Sequence, residues 1–176
     1  VWEEADGAGL SATINKISGT AAGATIEVKP SALPDGLTGR FAWSPDSDGS
    51  SSVSDKSSGG SSGIAGSGWD VTVEATSDIL GIDGLTVYAG MSEVEQYQEA
   101  STVNGDREET VMGFKYAMGG FTIGYQQSDE DTGLTAASSY ENTAYGITFQ
   151  VNDDLSIGYG HVESDKAGDA DDAEAD

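Results

Sequence analysis

The chain has 176 residues, no cysteine, 25 glycines and three prolines, and its 31 acidic against 7 basic residues give a net charge of -24. The missing cysteines exclude a disulfide scaffold and a cysteine metal site, and the shortage of Lys and Arg argues against a nucleic-acid binder or a protein that docks on an anionic leaflet. No run of about 18 apolar residues is present, so no transmembrane helix is predicted, and the acidic Val1–Gly9 lacks the basic-then-apolar order of a signal peptide.

In chain order, the first periodic stretch is Leu10–Ile17, with Leu10, Ala12 and Ile14 opposite Ser11, Thr13 and Asn15. Ala24–Lys29 alternates again. Pro30–Gly36 is a turn, closed by Pro34-Asp35-Gly36. Leu37–Ser44 places Leu37, Phe41 and Trp43 on one face and Thr38 and Arg40 on the other. Residues 45–68 are dominated by Ser, Gly and Asp, too polar to order themselves by burial, and are expected to form one long loop. Trp69–Ala75 and Leu85–Ser92 alternate cleanly about a turn at Ser77–Gly84. Glu93–Glu109 reads as a polar acidic loop.

Thr110–Ser128 reads as a hairpin about Gly119-Gly120, a pair suited to the positive φ of a tight turn. Its pairing sets Met118 against Phe121, Tyr116 against Ile123, Phe114 against Tyr125 and Met112 against Gln127. The opposite face pairs Ala117 with Thr122, Lys115 with Gly124 and Gly113 with Gln126. Residues 129–139 form another polar loop. A second hairpin runs from Asn142 to Glu163, pairing Val151 with Leu155, Phe149 with Ile157, Ile147 with Tyr159 and Tyr145 with His161. Residues 164–176 are expected to be an acidic loop or tail.

About nine strands and no helix are therefore predicted, with Val, Ile and aromatics at period two. The fold expected is all-β: one antiparallel up-and-down meander, with short turns at one end and long acidic loops at the other. Two architectures produce such strands. In a sandwich the apolar face packs on a second sheet. In a transmembrane barrel it meets lipid, and the polar face lines a lumen. Long strands, end-asymmetric connections and aromatics on the apolar face favour the barrel, or part of one, spanning residues 1–176 as a single domain. The alternative is a secreted acidic β-protein, such as a calcium-binding adhesin or surface-layer fragment.

The segments GLTVYAGMSE, ETVMGFKYAMGGFTIGYQQSDED and NTAYGITFQVNDDLSIGYGHVESD resemble successive strands of Gram-negative trimeric porins of the alphaproteobacterial type. The resemblance is clearest over Leu85–Asp165. It implies a barrel of about 16 strands, a homotrimer in the outer membrane, and contact with lipid bilayer and lipopolysaccharide. With fewer strands than that, the chain is expected to be an internal fragment of such a porin. The activity implied is passive diffusion of ions and small hydrophilic solutes, without catalysis. The acidic excess predicts a mild cation preference.

Alternation assigns the residues. Charges facing lipid are costly, so Glu27, Lys29, Arg40, Asp70, Glu74 and Lys115 are expected to line the pore, together with Gln126. Met112, Phe114, Tyr116, Phe121, Ile123, Tyr125, Tyr145, Ile147, Phe149, Ile157 and Tyr159 are expected to face lipid. His161 shares that face near a strand end and is expected at the rim rather than as a base. No cofactor is expected. Asp46-Ser47-Asp48-Gly49-Ser50 and the tail acids Asp169, Asp171, Asp172, Glu174 and Asp176 supply oxygen ligands for at most weak calcium binding, since neither stretch completes a calcium loop.

Overall fold

The computed structural model describes residues 25–44, 65–96, 105–133, 139–152, 154–167 and 173–175. They form one sheet of nine strands in sequence order, every neighbouring pair antiparallel. The strands are β1 (Ile26–Val28), β2 (Leu37–Ser44), β3 (Ala65–Ala75), β4 (Leu85–Gln96), β5 (Arg107–Met118), β6 (Phe121–Asp131), β7 (Ser139–Asn152), β8 (Leu155–Lys166) and β9 (Ala173–Ala175). A single helical turn, α1 (Ser77–Leu80), lies between β3 and β4.

The hairpin of β5 and β6 has the register that alternation predicts. Met118 pairs Phe121, Phe114 pairs Tyr125 and Gly113 pairs Gln126. Gly119 supplies the left-handed residue of the turn, at φ 59°. In the next hairpin the pairs Phe149–Ile157, Ile147–Tyr159 and Tyr145–His161 form as expected, but Val151 does not face Leu155. The register shifts after Gln150, and Leu155 pairs with Asn152. The cause is local: Asn152 folds its side chain over the turn, its Oδ1 accepting the Asp154 N–H at 2.9 Å, and the extra residue is absorbed as a bulge.

Five expected loop boundaries move. β4 runs on to Gln96 instead of stopping at Ser92. Residues 65–68 belong to β3, β5 begins at Arg107, β6 runs on to Asp131, and β7 begins at Ser139. The short β9 and the last residues of β8 occupy the expected acidic tail. In each case the hydrogen-bonded ladder continues past the point where the side chains stop alternating, because pairing depends on the backbone, not on apolar content. α1 corrects the expectation of no helix. It is capped by Gly81 in the left-handed region at φ 70°, whose N–H bonds Ser77 O at 2.8 Å. Leu10–Ile17, Asp46–Ser50 and most of residues 45–68 lie outside the described residues, as do the tail acids except Glu174, which lies in β9.

No second layer covers the sheet among the described residues, and burial is inverted relative to a soluble domain. The buried apolar side chains are Ala42 and Ala144. Ser44, Asp70, Ser92, Glu109, Gln126, Ser128, Glu130, Thr132 and Asn142 are buried instead. The exposed set contains the large apolar groups: Phe114 at 37 %, Ile123 at 41 %, Ile157 at 61 % and Tyr159 at 53 %. A sandwich would have buried Phe114 and Tyr125 under its partner sheet. Here their rings lie 6.1 Å apart on an uncovered face.

A level apolar band and an enclosed polar face

The apolar side of the sheet carries a band of constant height that crosses the ladder obliquely. On β3 it covers Trp69–Ala75, on β4 Leu85–Met91, on β5 Met112–Met118 and on β7 Tyr145–Val151. Its loop-side edge steps down two residues at each of three strand pairs. Trp69 faces Glu93, two residues beyond Met91; Met91 faces Thr110, two beyond Met112; Met112 faces Gln127, two beyond Tyr125. From there the edge is level through Tyr125, Tyr145 and His161. The turn-side edge, through Ala75, Leu85, Met118, Phe121 and Val151, descends by the same six residues, level only from Met118 to Phe121. Six residues over the five strand spacings from β3 to β8 amount to about 4 Å of drop per ~4.8 Å of width. That offset restores a level band when strands tilt by about 40°, within the range of transmembrane barrels.

Aromatic groups mark both rims. Trp43 faces Trp69, and the Tyr145 and His161 rings stack at 5.0 Å along the loop-side edge. Phe121 and Phe149 pack at 4.4 Å along the turn-side edge. His161 packs on Tyr145 at this edge, but it lies in the middle of β8 rather than near a strand end, because the ladder continues to Lys166. Of the residues expected to face lipid, all eleven lie on this side of the sheet. Nine are exposed; Tyr116 and Tyr125 are half-buried by their neighbours.

The opposite face is polar; its loop-side part, from Ser44 and Asp70 to Glu130 and Asn142, is buried, while Arg40 and Lys115 are exposed. The seven residues expected there share it, but they do not converge on one point. Glu27 bridges Lys29 at 2.9 Å and Arg40 at 3.5 Å near the sheet edge. Asp70 is buried in a row with Ala42, Ser92, Glu109, Glu130 and Tyr140. Glu74 heads a second row through Tyr88, Gly113, Gln126 and Ala144. Lys115 stands exposed in a third, between Thr86 and Gly124, with Gly146 and Gly160 continuing it. These three glycines leave a strip of bare backbone beside the Lys115 side chain.

Alternation alone missed three groups. Arg107, in a stretch expected to be loop, is clamped between Glu109 at 3.0 Å and Glu130 at 2.7 Å. Glu109 and Glu130 face each other directly across β5 and β6, 5 % and 6 % exposed. Like charges so placed repel, and Arg107 offsets that repulsion. The signal was present as the i, i+2 spacing of Arg107 and Glu109. The second is Tyr88, an aromatic in the polar phase of β4. It reaches over Gly113 and donates to Gln126 Oε1 at 2.8 Å. A Cβ on Gly113 would sit 2.5 Å from the Tyr88 hydroxyl, so this lean requires glycine. The third is Asn142, which donates to Ser128 at 3.4 Å and accepts from Ser164 at 2.6 Å, linking three strands.

The five Lys and Arg residues described, Lys29, Arg40, Arg107, Lys115 and Lys166, all belong to the polar face. Acids there are Glu27, Asp70, Glu74, Glu109 and Glu130, so the wall is nearly balanced in charge. The excess lies elsewhere. Glu93, Glu95, Glu108, Asp129, Asp131, Glu141, Glu163 and Asp165 stand on the other side of the sheet, beyond the loop-side edge of the apolar band. Among the described residues no three carboxylate or histidine side chains converge as metal ligands would.

A single tilted meander with a level apolar band, aromatic rims and a polar reverse side defines an outer-membrane type of β-barrel wall. The family model for Gram-negative porins matches residues 2–176, and the chain belongs to that family of outer-membrane channel proteins, which are not enzymes. A search of curated proteins returns no match.

Proposed function

We propose that the polar face lines a water-filled pathway for passive diffusion of ions and small hydrophilic solutes, and that the apolar band contacts lipid. The observation that supports this most is the inversion of burial across one level band. Large apolar groups are exposed while Asp70, Glu109 and Glu130 are buried, which in water would cost far more than it returns. In this reading Glu27, Lys29, Arg40, Asp70, Glu74, Lys115, Gln126, Arg107, Glu109 and Glu130 form the field a solute crosses.

The cation preference is mild and originates at the mouth. The wall balances its charges, whereas among the described residues no Lys or Arg stands on the side of the acids beyond the band. A negative rim concentrates cations without binding them. At that height the barrel meets lipopolysaccharide head groups, with divalent cations bridging the two anionic layers as a diffuse contact, and the assembled channel is a homotrimer. Conductance across planar bilayers tests the proposal. Stepwise openings with a reversal potential displaced toward the cation side support it. A protein that inserts yet passes no current would sink it.

A further inference from the structure

Among the described residues outside the strands, two large apolar side chains are exposed: Ile79 and Ile82, at 43 % and 49 %, both in the connection between β3 and β4. The segment is well defined. Its start is tied to the neighbouring turn, where the Thr76 N–H donates to Gly36 O at 2.7 Å. Its end is tied to β5, where the Ala117 N–H donates to Gly84 O at 2.9 Å. Between these anchors α1 carries Ile79, and Ile82 follows directly after the left-handed cap Gly81.

At this end β5 to β6 and β7 to β8 use tight turns and β1 to β2 crosses by residues 29–36 without a helix, whereas β3 to β4 has a helical connection. This one inserts a capped helical turn and leaves apolar groups uncovered. The turn-side edge of the apolar band on these strands is Ala75 and Leu85, so Ile79 and Ile82 lie only three or four residues beyond it. The zone between hydrocarbon and water is about 5–8 Å deep on each side of a bilayer. A short turn starting at the band edge falls within that depth, where amphipathic segments rest with their apolar groups among the upper acyl chains.

We propose that the β3–β4 connection is a lipid-interface anchor, with Ile79 and Ile82 seated in the leaflet on the turn side of the barrel. This extends the lipid contact from the sheet to a turn and fixes the depth at which these strands ride. It rests on the reading that the apolar band meets lipid. Because the sequence has no cysteine, single-cysteine variants can carry a nitroxide label without background. Ile79→Cys and Ile82→Cys are compared in phosphatidylcholine vesicles with Ile123→Cys, in the middle of the band, and Asp83→Cys, between the two isoleucines and Leu85. The expected ratio of oxygen to nickel-chelate collision for both isoleucine sites rises well above that of Asp83, toward that of Ile123. Ratios equal to that of Asp83 would overturn the anchor, placing the turn in water. Labels shielded from both reagents would overturn it in favour of a protein contact. If the Ile123 label itself is water-exposed, the band assignment fails, and the anchor with it, an outcome separate from the other two.

Discussion

The Tyr88 hydroxyl reaches Gln126 at 2.8 Å across the whole width of β5, and the residue it crosses is Gly113. A side chain on one strand is thereby joined to its second neighbour, which the ladder alone never does. The contact adds lateral stiffness to a wall held mainly by backbone hydrogen bonds. Gly113→Val is expected to displace the ring and destabilise the fold by about 1–3 kcal/mol. Tyr88→Phe, losing only the hydrogen bond, should cost about 1 kcal/mol. In urea unfolding from vesicles the double variant should lose no more than Gly113→Val alone. Full additivity would show that the two groups are not coupled.

Arg107 offsets two carboxylates that face each other. Removing it as Arg107→Ala leaves Glu109 and Glu130 enclosed and opposed, at a cost of about 3 kcal/mol. Adding Glu109→Gln should recover most of that loss, since a neutral amide beside Glu130 relieves the repulsion. Unfolding free energies of the single and double variants check this; failure of the second substitution to rescue would mean that Arg107 acts by packing.

The two faces should respond oppositely to the same substitution. Ile123→Lys places a charge in the middle of the apolar band and is expected to cost about 2–4 kcal/mol of membrane stability. Thr122→Lys, one residue earlier and on the polar face, should change it by less than about 0.5 kcal/mol. Equal losses at both positions would contradict the assignment of faces.

If the mouth rather than the wall sets the cation preference, selectivity should be salt-sensitive. The screening length falls from about 10 Å at 0.1 M salt to about 3 Å at 1 M, so the reversal potential under a fixed salt ratio should shrink strongly over that range. Lys115→Glu, altering the wall beside the glycine strip, should add a cation preference that persists at high salt. A reversal potential indifferent to ionic strength would place the selectivity wholly inside the channel.

Period-two alternation read the central strands well, because one face of the sheet is apolar and the other polar, so successive residues carry opposite chemistry. The β5–β6 register followed from Gly119-Gly120 alone. Strand ends were not legible for the same reason. Past the band both faces are polar, so Glu108, Asp131 and Glu141 carry no alternation although their backbones remain paired. The bulge at Asn152 was hidden because it depends on one side chain capping a turn. Arg107 was lost with the strand end that holds it. Tyr88 broke the phase rule, and its explanation lies two strands away at Gly113 and Gln126.

The row of Gly124, Gly146 and Gly160 beside Lys115 has a consequence for how such a channel evolves. An added Cβ at Gly160 would find only the Tyr145 carbonyl oxygen, 3.9 Å away. Registration, tilt and membrane insertion are specified by the backbone ladder and the opposite face. A glycine codon lies one base change from aspartate, arginine, serine or valine codons. Gly160, the exposed end of the row, is thus a position where a single mutation can give the polar face a new charge while the scaffold that carries it stays the same.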